Sequence, residues 1–350
     1  MKCTGNFTYA KLKITNYQRI KAEPQVNPLP KAARHIKNAI ALDETGNYID
    51  PYSGLKDLEN RVLRHVSDAF IEDPLRVLRV ARFAARYKQY GFTIASETLD
   101  LMTQICQSGE LESLSAERVW VETAKALSEN HPQVYFETLK ACGGLTHWFK
   151  ELDQLWGVPN PAKWHPEIDT GVHVMMVLQQ AVKLSNNIAV RFAALLHDLG
   201  KGISDPKFWP SHHGHEKAGV ALVESLCKRL KAPNTERDLA RLTCEHHGNV
   251  HRAYNLNDDT LVKLFDKTDA WRKPERFADM LMACEADARG RLHFEDKPYP
   301  QRDFVQKCYE AATQVNVAEI IATGVKGPGI RDALFRRRCE AVGRFKQSVS

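Results

Sequence analysis

Helical periodicity runs almost without a break from about residue 55 to the C-terminus, and it confines the chain to a predominantly α-helical fold. Residues 74–86 show it well. At about 100° per residue, Val77, Val80, Ala81, Ala84 and Ala85 fall on one side, and Arg76, Arg79, Arg82 and Arg86 form a stripe on the other. Pro74 suits a first helical turn, where its missing N–H costs nothing, and Asp73 is placed to cap. Similar patterning predicts helices at 96–107, at 115–128 with Ser115 as cap and Arg118 one turn from Glu122, and at 131–142. Gly157-Val-Pro-Asn-Pro161 reads as a boundary. Beyond it, helices are expected at 170–184, 188–199, 214–231, 235–246, 258–268, 274–289, 300–313 and, strongly basic, 328–346.

The N-terminal part reads differently. Residues 1–37 carry no sustained periodicity, and Pro24, Pro28 and Pro30 discourage regular structure, so partial disorder is expected there. Short apolar runs around Asp43-Glu-Thr-Gly-Asn47 predict a hairpin, with Tyr48-Ile49-Asp50 as the returning strand and Pro51 ending it.

Composition narrows the classes. The 8 cysteines are scattered with no close pair, which argues against a zinc knuckle or a disulfide framework and suits a reducing, cytoplasmic setting. No apolar run approaches the ~18 residues of a membrane helix, and no signal peptide is read at the start. The net charge of +6 is concentrated in an arginine-rich stretch at 61–86 and a basic run at 331–344. Either patch suits a polyanionic partner, or else a solvated charged face.

The chemistry-bearing residues come in an ordered set. His173 begins one helical pattern. His197-Asp198 end another, after the apolar run Val190-Arg-Phe-Ala-Ala-Leu-Leu, so two polar side chains sit at the end of a helix that is otherwise core. Leu199-Gly-Lys201-Gly follows, then Ser211-His212-His213-Gly-His215, then Glu245-His246-His247, and finally Glu285-Ala-Asp287. A lone histidine on a helix carries little information. Imidazoles and carboxylates recurring in one helical region are the donor set of a divalent metal with open positions, able to acidify a water for attack on phosphorus. Lys201 could offset phosphate charge.

This set resembles the HD superfamily of metal-dependent phosphohydrolases. Longer stretches resemble the HD-containing tRNA nucleotidyltransferase (CCA-adding) family over about residues 38–350. They include Tyr48-Ile-Asp-Pro-Tyr-Ser-Gly54, Glu72-Asp-Pro-Leu-Arg-Val-Leu-Arg-Val-Ala-Arg-Phe83, Lys163-Trp-His-Pro-Glu-Ile-Asp-Thr-Gly-Val-His173, His197-Asp-Leu-Gly-Lys-Gly202, His212-His-Gly-His215, Asp269-Ala-Trp-Arg-Lys-Pro274 and Cys284-Glu-Ala-Asp-Ala-Arg-Gly290.

The resemblance implies a nucleotidyltransferase-head remnant at 1–54, a helical neck and body at 55–150, an all-α HD domain at 160–290 and a basic helical tail at 291–350. In this family Asp73 and Arg76 would read the base edges of CTP and ATP, with Arg79 and Arg82 contacting the nucleotide. The tail would hold tRNA. The HD domain would act as phosphatase, 2′-nucleotidase and 2′,3′-cyclic phosphodiesterase with Mg²⁺ or Ni²⁺. Expected ligands are His173, His197, Asp198 and His247, with Asp287 as the late carboxylate and Asp269 as its rival. His212, His213 and His215 are candidates for a second metal or the substrate phosphate. A monomer or homodimer is expected, with no membrane partner.

The family's Gly-Gly-x-Val-Arg-Asp loop and Asp-x-Asp motif do not occur ahead of Asn38, where the chain reads Ala32-Ala-Arg-His-Ile-Lys37. The chain is therefore expected not to polymerise CCA by itself, as a truncated or frame-disrupted gene product would not. The competing expectation is a tRNA- or nucleotide-binding remnant without catalysis.

Overall fold

A computed structural model of the chain describes residues 40–42 and 47–349. The expectations for residues 1–37 and for the turn at 43–46 lie outside them. Ala41–Leu42 (β1) and Tyr48–Ile49 (β2) pair antiparallel, as the expected hairpin requires, with Ala41 opposite Ile49 and Leu42 opposite Tyr48. The chain divides into two compact units between Gly54 and Leu55.

The division falls after the first residue of α1 (Gly54–Glu59). A two-residue parallel pairing follows, of Val62–Leu63 (β3) with Thr93–Ile94 (β4), too short to announce itself in the sequence. The helices α2 (Leu75–Tyr87), α3 (Ser96–Gln107), α4 (Ala116–Leu127) and α5 (Gln133–Ala141) fall where the apolar spacing puts them, and α6 (Leu145–Trp148) and α7 (Lys150–Asp153) are single turns. Ahead of α2, the Asp73 carboxylate accepts the Leu75 N–H at 3.1 Å.

The arginine stripe of α2 departs from expectation. Helix α4 packs across it, so Arg82 is buried and donates from Nε to Oε2 of buried Glu122 at 2.6 Å. Glu122 is thus taken up by α2 rather than by Arg118, which instead reaches Asp73 at 3.1 Å.

The next group comprises α8 (Thr170–Leu184), α9 (Ile188–Leu196), α10 (His215–Leu230), α11 (Asn234–His251), α12 (Asp258–Lys267) and α13 (Pro274–Arg289). Asp169 caps α8 by accepting the Val172 N–H at 2.9 Å, and Asn187 caps α9 by accepting that of Ala189 at 3.0 Å. Every residue of α9 from Ala189 to Leu196 is buried, because α8, α11 and α13 surround it and α4 touches it from the neck. The helix stops at Leu196, short of the expected 199, and a 3-10 turn at Leu199–Ile203 replaces its last turn. Helix α11 runs on to His251, past the expected 246.

Helices α14 (Pro300–Thr313), α15 (Val317–Ala322) and α16 (Pro328–Val349) complete the chain, with α12, α14 and α16 packed on one another. Phe265, Trp271, Phe277 and Tyr309 form an aromatic knot there, and the Arg338 guanidinium lies 3.6 Å over the Trp271 ring.

A single hydrophobic core runs from Phe70 to Val342 without a break at the expected boundary. Where α4 meets α9, the Trp120 and Phe192 rings lie edge-on at 5.3 Å. Buried Arg191 donates to the carbonyls of Leu127 at 2.7 Å and Glu129 at 3.1 Å, closing the C-terminus of α4. Cys106, Cys142, Cys227, Cys244, Cys284, Cys308 and Cys339 are free thiols, and among the described residues no helix is long and apolar enough to cross a membrane.

Candidate metal centre

The apolar run of α9 drives that helix to the middle of the α8–α13 group, and its end carries His197 and Asp198 inward, each 1% exposed. Four other helices bring side chains to meet them: His173 from α8, His215 from the first turn of α10, His247 from α11 and Asp287 from α13. They fall into two adjoining groups. In the first, Asp287 Oδ1 lies 3.2 Å from His173 Nε2 and 3.6 Å from His197 Nε2. In the second, Asp198 Oδ1 lies 3.3 Å from His215 Nε2 and 3.6 Å from His247 Nε2. Asp198 joins them, since its Oδ2 is 3.2 Å from His197 Nε2 and 4.0 Å from His173 Nε2.

The outward ring nitrogens are anchored, which aims the inner ones. His197 Nδ1 bonds the Ala194 carbonyl at 2.8 Å, His215 Nδ1 that of His212 at 2.9 Å, and His247 Nδ1 those of Thr243 and Cys244 at 3.1 Å. His173 Nδ1 sits 2.9 Å from Glu167 Oε1. Backbone carbonyls only accept, so each of the three anchored nitrogens carries a hydrogen, and Nε2 is the nitrogen left to meet an ion.

The electrostatics match a cation site. Burial pulls His247 down to about 3 and His165 to about 4, so both are neutral imidazoles at neutral pH. Burial also pulls on His197, but the carboxylates of Asp198 and Asp287 outweigh it and push the ring up to about 9. Burial would raise both aspartates. Instead His197 and Lys201 hold Asp198, and His197 and His251 hold Asp287, well below the usual carboxylate range. His197 Nε2 and Asp198 Oδ1 are buried with no hydrogen-bond partner of acceptable geometry. An unpartnered ring nitrogen and an unpartnered carboxylate oxygen, both buried beside the neutral His247 ring, fit a divalent ion, which would displace the His197 proton and take lone pairs from both.

The remaining sequence candidates separate. Lys201 is in place, with its Nζ 2.6 Å from Asp198 Oδ2 and 2.9 Å from Asn160 Oδ1. His212 is not free to ligate: Nδ1 is 2.6 Å from Ser204 Oγ and Nε2 is 2.7 Å from the Pro159 carbonyl, so the ring staples two loops together. His213 is exposed and outside the groups. Asp269, the rival late carboxylate, sits at a turn with φ 56° and is held by Arg272 at 2.6 Å, at the aromatic knot and away from the cluster.

Sequence reasoning missed His165, Glu167 and His251. His165 and His173 both lie 2.9 Å from Glu167 Oε1. His251 stands 2.6 Å from Asp287 Oδ2. A signal for His251 existed, since it follows His247 by four residues on the same helix face.

In the neck, Asp73 and Arg118 form a half-exposed pair, Arg76 bonds the Ala69 carbonyl, and the half-exposed Arg79 reaches Glu122 only at 3.9 Å. Arg79 is thus the least committed of the four expected nucleotide contacts, and Arg82 the most.

Residues 170–271 match the HD domain family, and residues 91–155 match the family described as a probable RNA and SrmB-binding site of polymerase A. Asp287 lies beyond the end of the first match. The chain is 62% identical over 305 residues to the multifunctional CCA protein of Pseudoalteromonas atlantica, covering 87% of this chain and 75% of that protein. The chain belongs to the multifunctional CCA protein family. Solved structures with the same fold include the Bacillus stearothermophilus CCA-adding enzyme in complex with CTP. Its TM-score is 0.57 at 21% identity, over 88% of this chain and 67% of that one. The Thermotoga maritima CCA-adding enzyme complexed with tRNA aligns with a TM-score of 0.54 at 16% identity, over 89% and 71%. Another CCA-adding enzyme with CTP aligns at 0.56 and 18%, and this chain spans 65% of its length.

Proposed function

We propose that the centre at the end of α9 binds divalent metal, Mg²⁺ or Ni²⁺, and hydrolyses phosphoesters: 2′,3′-cyclic phosphodiesters, 2′-nucleotides and phosphomonoesters. The observation that carries this reading is the pair of buried, unpartnered atoms, His197 Nε2 and Asp198 Oδ1, inside a ring of oriented imidazoles. His173, His197 and Asp287 would hold one ion and His215 and His247 a second, with Asp198 shared between them. A bound ion supplies positive charge to the phosphoryl group and acidifies water. The chain's own residues do the rest. The carbonyl-anchored rings keep their donor nitrogens inward, and the buried Lys201 ammonium lies beside Asp198, where it would meet a phosphate oxygen. His197→Ala is expected to abolish metal-dependent hydrolysis of 2′,3′-cyclic AMP and to lower bound metal measured by elemental analysis. Undiminished hydrolysis in that variant would refute the assignment.

A second reading concerns the rest of the body, as a nucleotide- and tRNA-binding surface. Support comes from the RNA-binding family match at 91–155, the exposed Arg79, and the exposed Arg336, Arg337 and Arg344 of α16. CTP or ATP would sit at the neck near Asp73 and Arg79. Affinity for tRNA is expected to fall steeply between low and moderate salt, because cations displaced from phosphates return. A salt-insensitive affinity would argue against it.

A further inference from the structure

Asp287 turns only one oxygen to the cluster. Oδ1 faces His173 and His197, whereas Oδ2 lies 2.6 Å from His251 Nε2. The other ring nitrogen of His251 lies 2.7 Å from the Tyr299 hydroxyl. An ionised carboxylate only accepts, so His251 Nε2–H donates to Oδ2. The Tyr299 hydroxyl can donate to Nδ1 or accept from it, so a continuous chain of polar contacts runs from Tyr299 through His251 to Asp287.

Three elements supply the three links. His251 is the last residue of α11, Asp287 belongs to α13, and Tyr299 caps α14. The α14 end is itself tied down, because Arg302 donates to Glu285 of α13 at 2.6 Å. A competitor stands close by: the Arg291 guanidinium is 3.8 Å from Asp287 Oδ1. A carboxylate released by His251 could turn toward that cation and present a guanidinium where an ion should approach.

We propose that His251 and Tyr299 are positioning residues that hold Asp287 as a one-oxygen metal ligand. The proposal rests on the metal-centre reading given above. Oδ2 is kept engaged, Oδ1 stays directed at His173 and His197, and the segment after α13 becomes part of the centre's frame.

Mn²⁺ binding to the full chain, measured by isothermal titration calorimetry, tests it alongside the thermal midpoint of the metal-free protein. His251→Leu is expected to weaken Mn²⁺ binding by about 10- to 100-fold. His251→Gln, which keeps an N–H within reach of Oδ2, recovers most of that loss. Tyr299→Phe, a change small enough to preserve the fold, weakens binding by roughly 2- to 10-fold, as one lost hydrogen bond would. A purely structural role would lower the metal-free midpoint and leave the affinity untouched, which would overturn the proposal. So would a glutamine variant no better than leucine. If the unmodified chain binds neither Mn²⁺ nor Ni²⁺ in the same titration, the metal centre itself falls; if it binds and all three variants bind equally, only the positioning role does.

Discussion

Glu122 shows how one side chain decides what its neighbours can do. It is 4% exposed, and Arg82 bonds it at 2.6 Å while Arg79 and Lys125 approach to 3.9 and 3.7 Å. Removing one partner of a buried pair leaves the other charge uncompensated, at a cost of ~3–5 kcal/mol, whereas a long, half-exposed pair is worth at most ~1 kcal/mol. Glu122→Ala is therefore expected to destabilise the protein by about 3–5 kcal/mol in urea unfolding. Arg79→Ala should change stability by less than about 1 kcal/mol. Equal effects from the two variants would show that the burial difference does not control the energetics. The same contrast makes Arg79 the better probe of ligand binding, since its loss leaves the core intact.

At the scale of elements, the close approach of the 199–203 turn to α10 sets the geometry of the second ligand group. A Cβ on Gly200 would lie 2.0 Å from the His215 carbonyl and 2.7 Å from the Gly219 nitrogen, backbone atoms that cannot swing aside. Gly200→Ala is expected to force the two elements apart, costing about 1–3 kcal/mol or more and weakening metal binding, because His215 is displaced with the helix that begins at it. Gly202→Ala meets its nearest atom only at 3.2 Å, a side-chain Cβ, and serves as the control in the same titration. An undisturbed Gly200→Ala variant would refute the close contact.

Much of this level was legible beforehand. Apolar spacing located the long helices, and the polar pair ending the apolar run of α9 marked the place where the rings converge. The histidine run at 212–215 was not legible in detail. His212 staples Ser204 to Pro159, His213 is exposed, and His215 enters the centre. Those three fates depend on a left-handed His212 (φ 47°) and on loops folded from far along the chain, which spacing does not encode. The burial of Arg82 was illegible for a similar reason. A stripe on one helix is open or closed only once its neighbour is known, and α4 closes it.

Across the whole larger unit, the helices before Gly157 and those after it share one core, and Arg191 is a buried link between α4 and α9. Its guanidinium also bonds the Ser185 carbonyl at 2.9 Å and Asn186 Oδ1 at 3.2 Å, so one side chain satisfies acceptors from both halves. Arg191→Met would strand buried carbonyls at about 1–3 kcal/mol for each group left without a donor. Calorimetry of the unmodified chain is expected to show neck and HD helices melting in one transition, and Arg191→Met to split off an earlier one. Two transitions in the unmodified chain would contradict the shared core. The link also acts as a stay on the metal centre: α9 ends in His197 and Asp198, and it cannot turn about its axis without dragging the C-terminus of α4 with it.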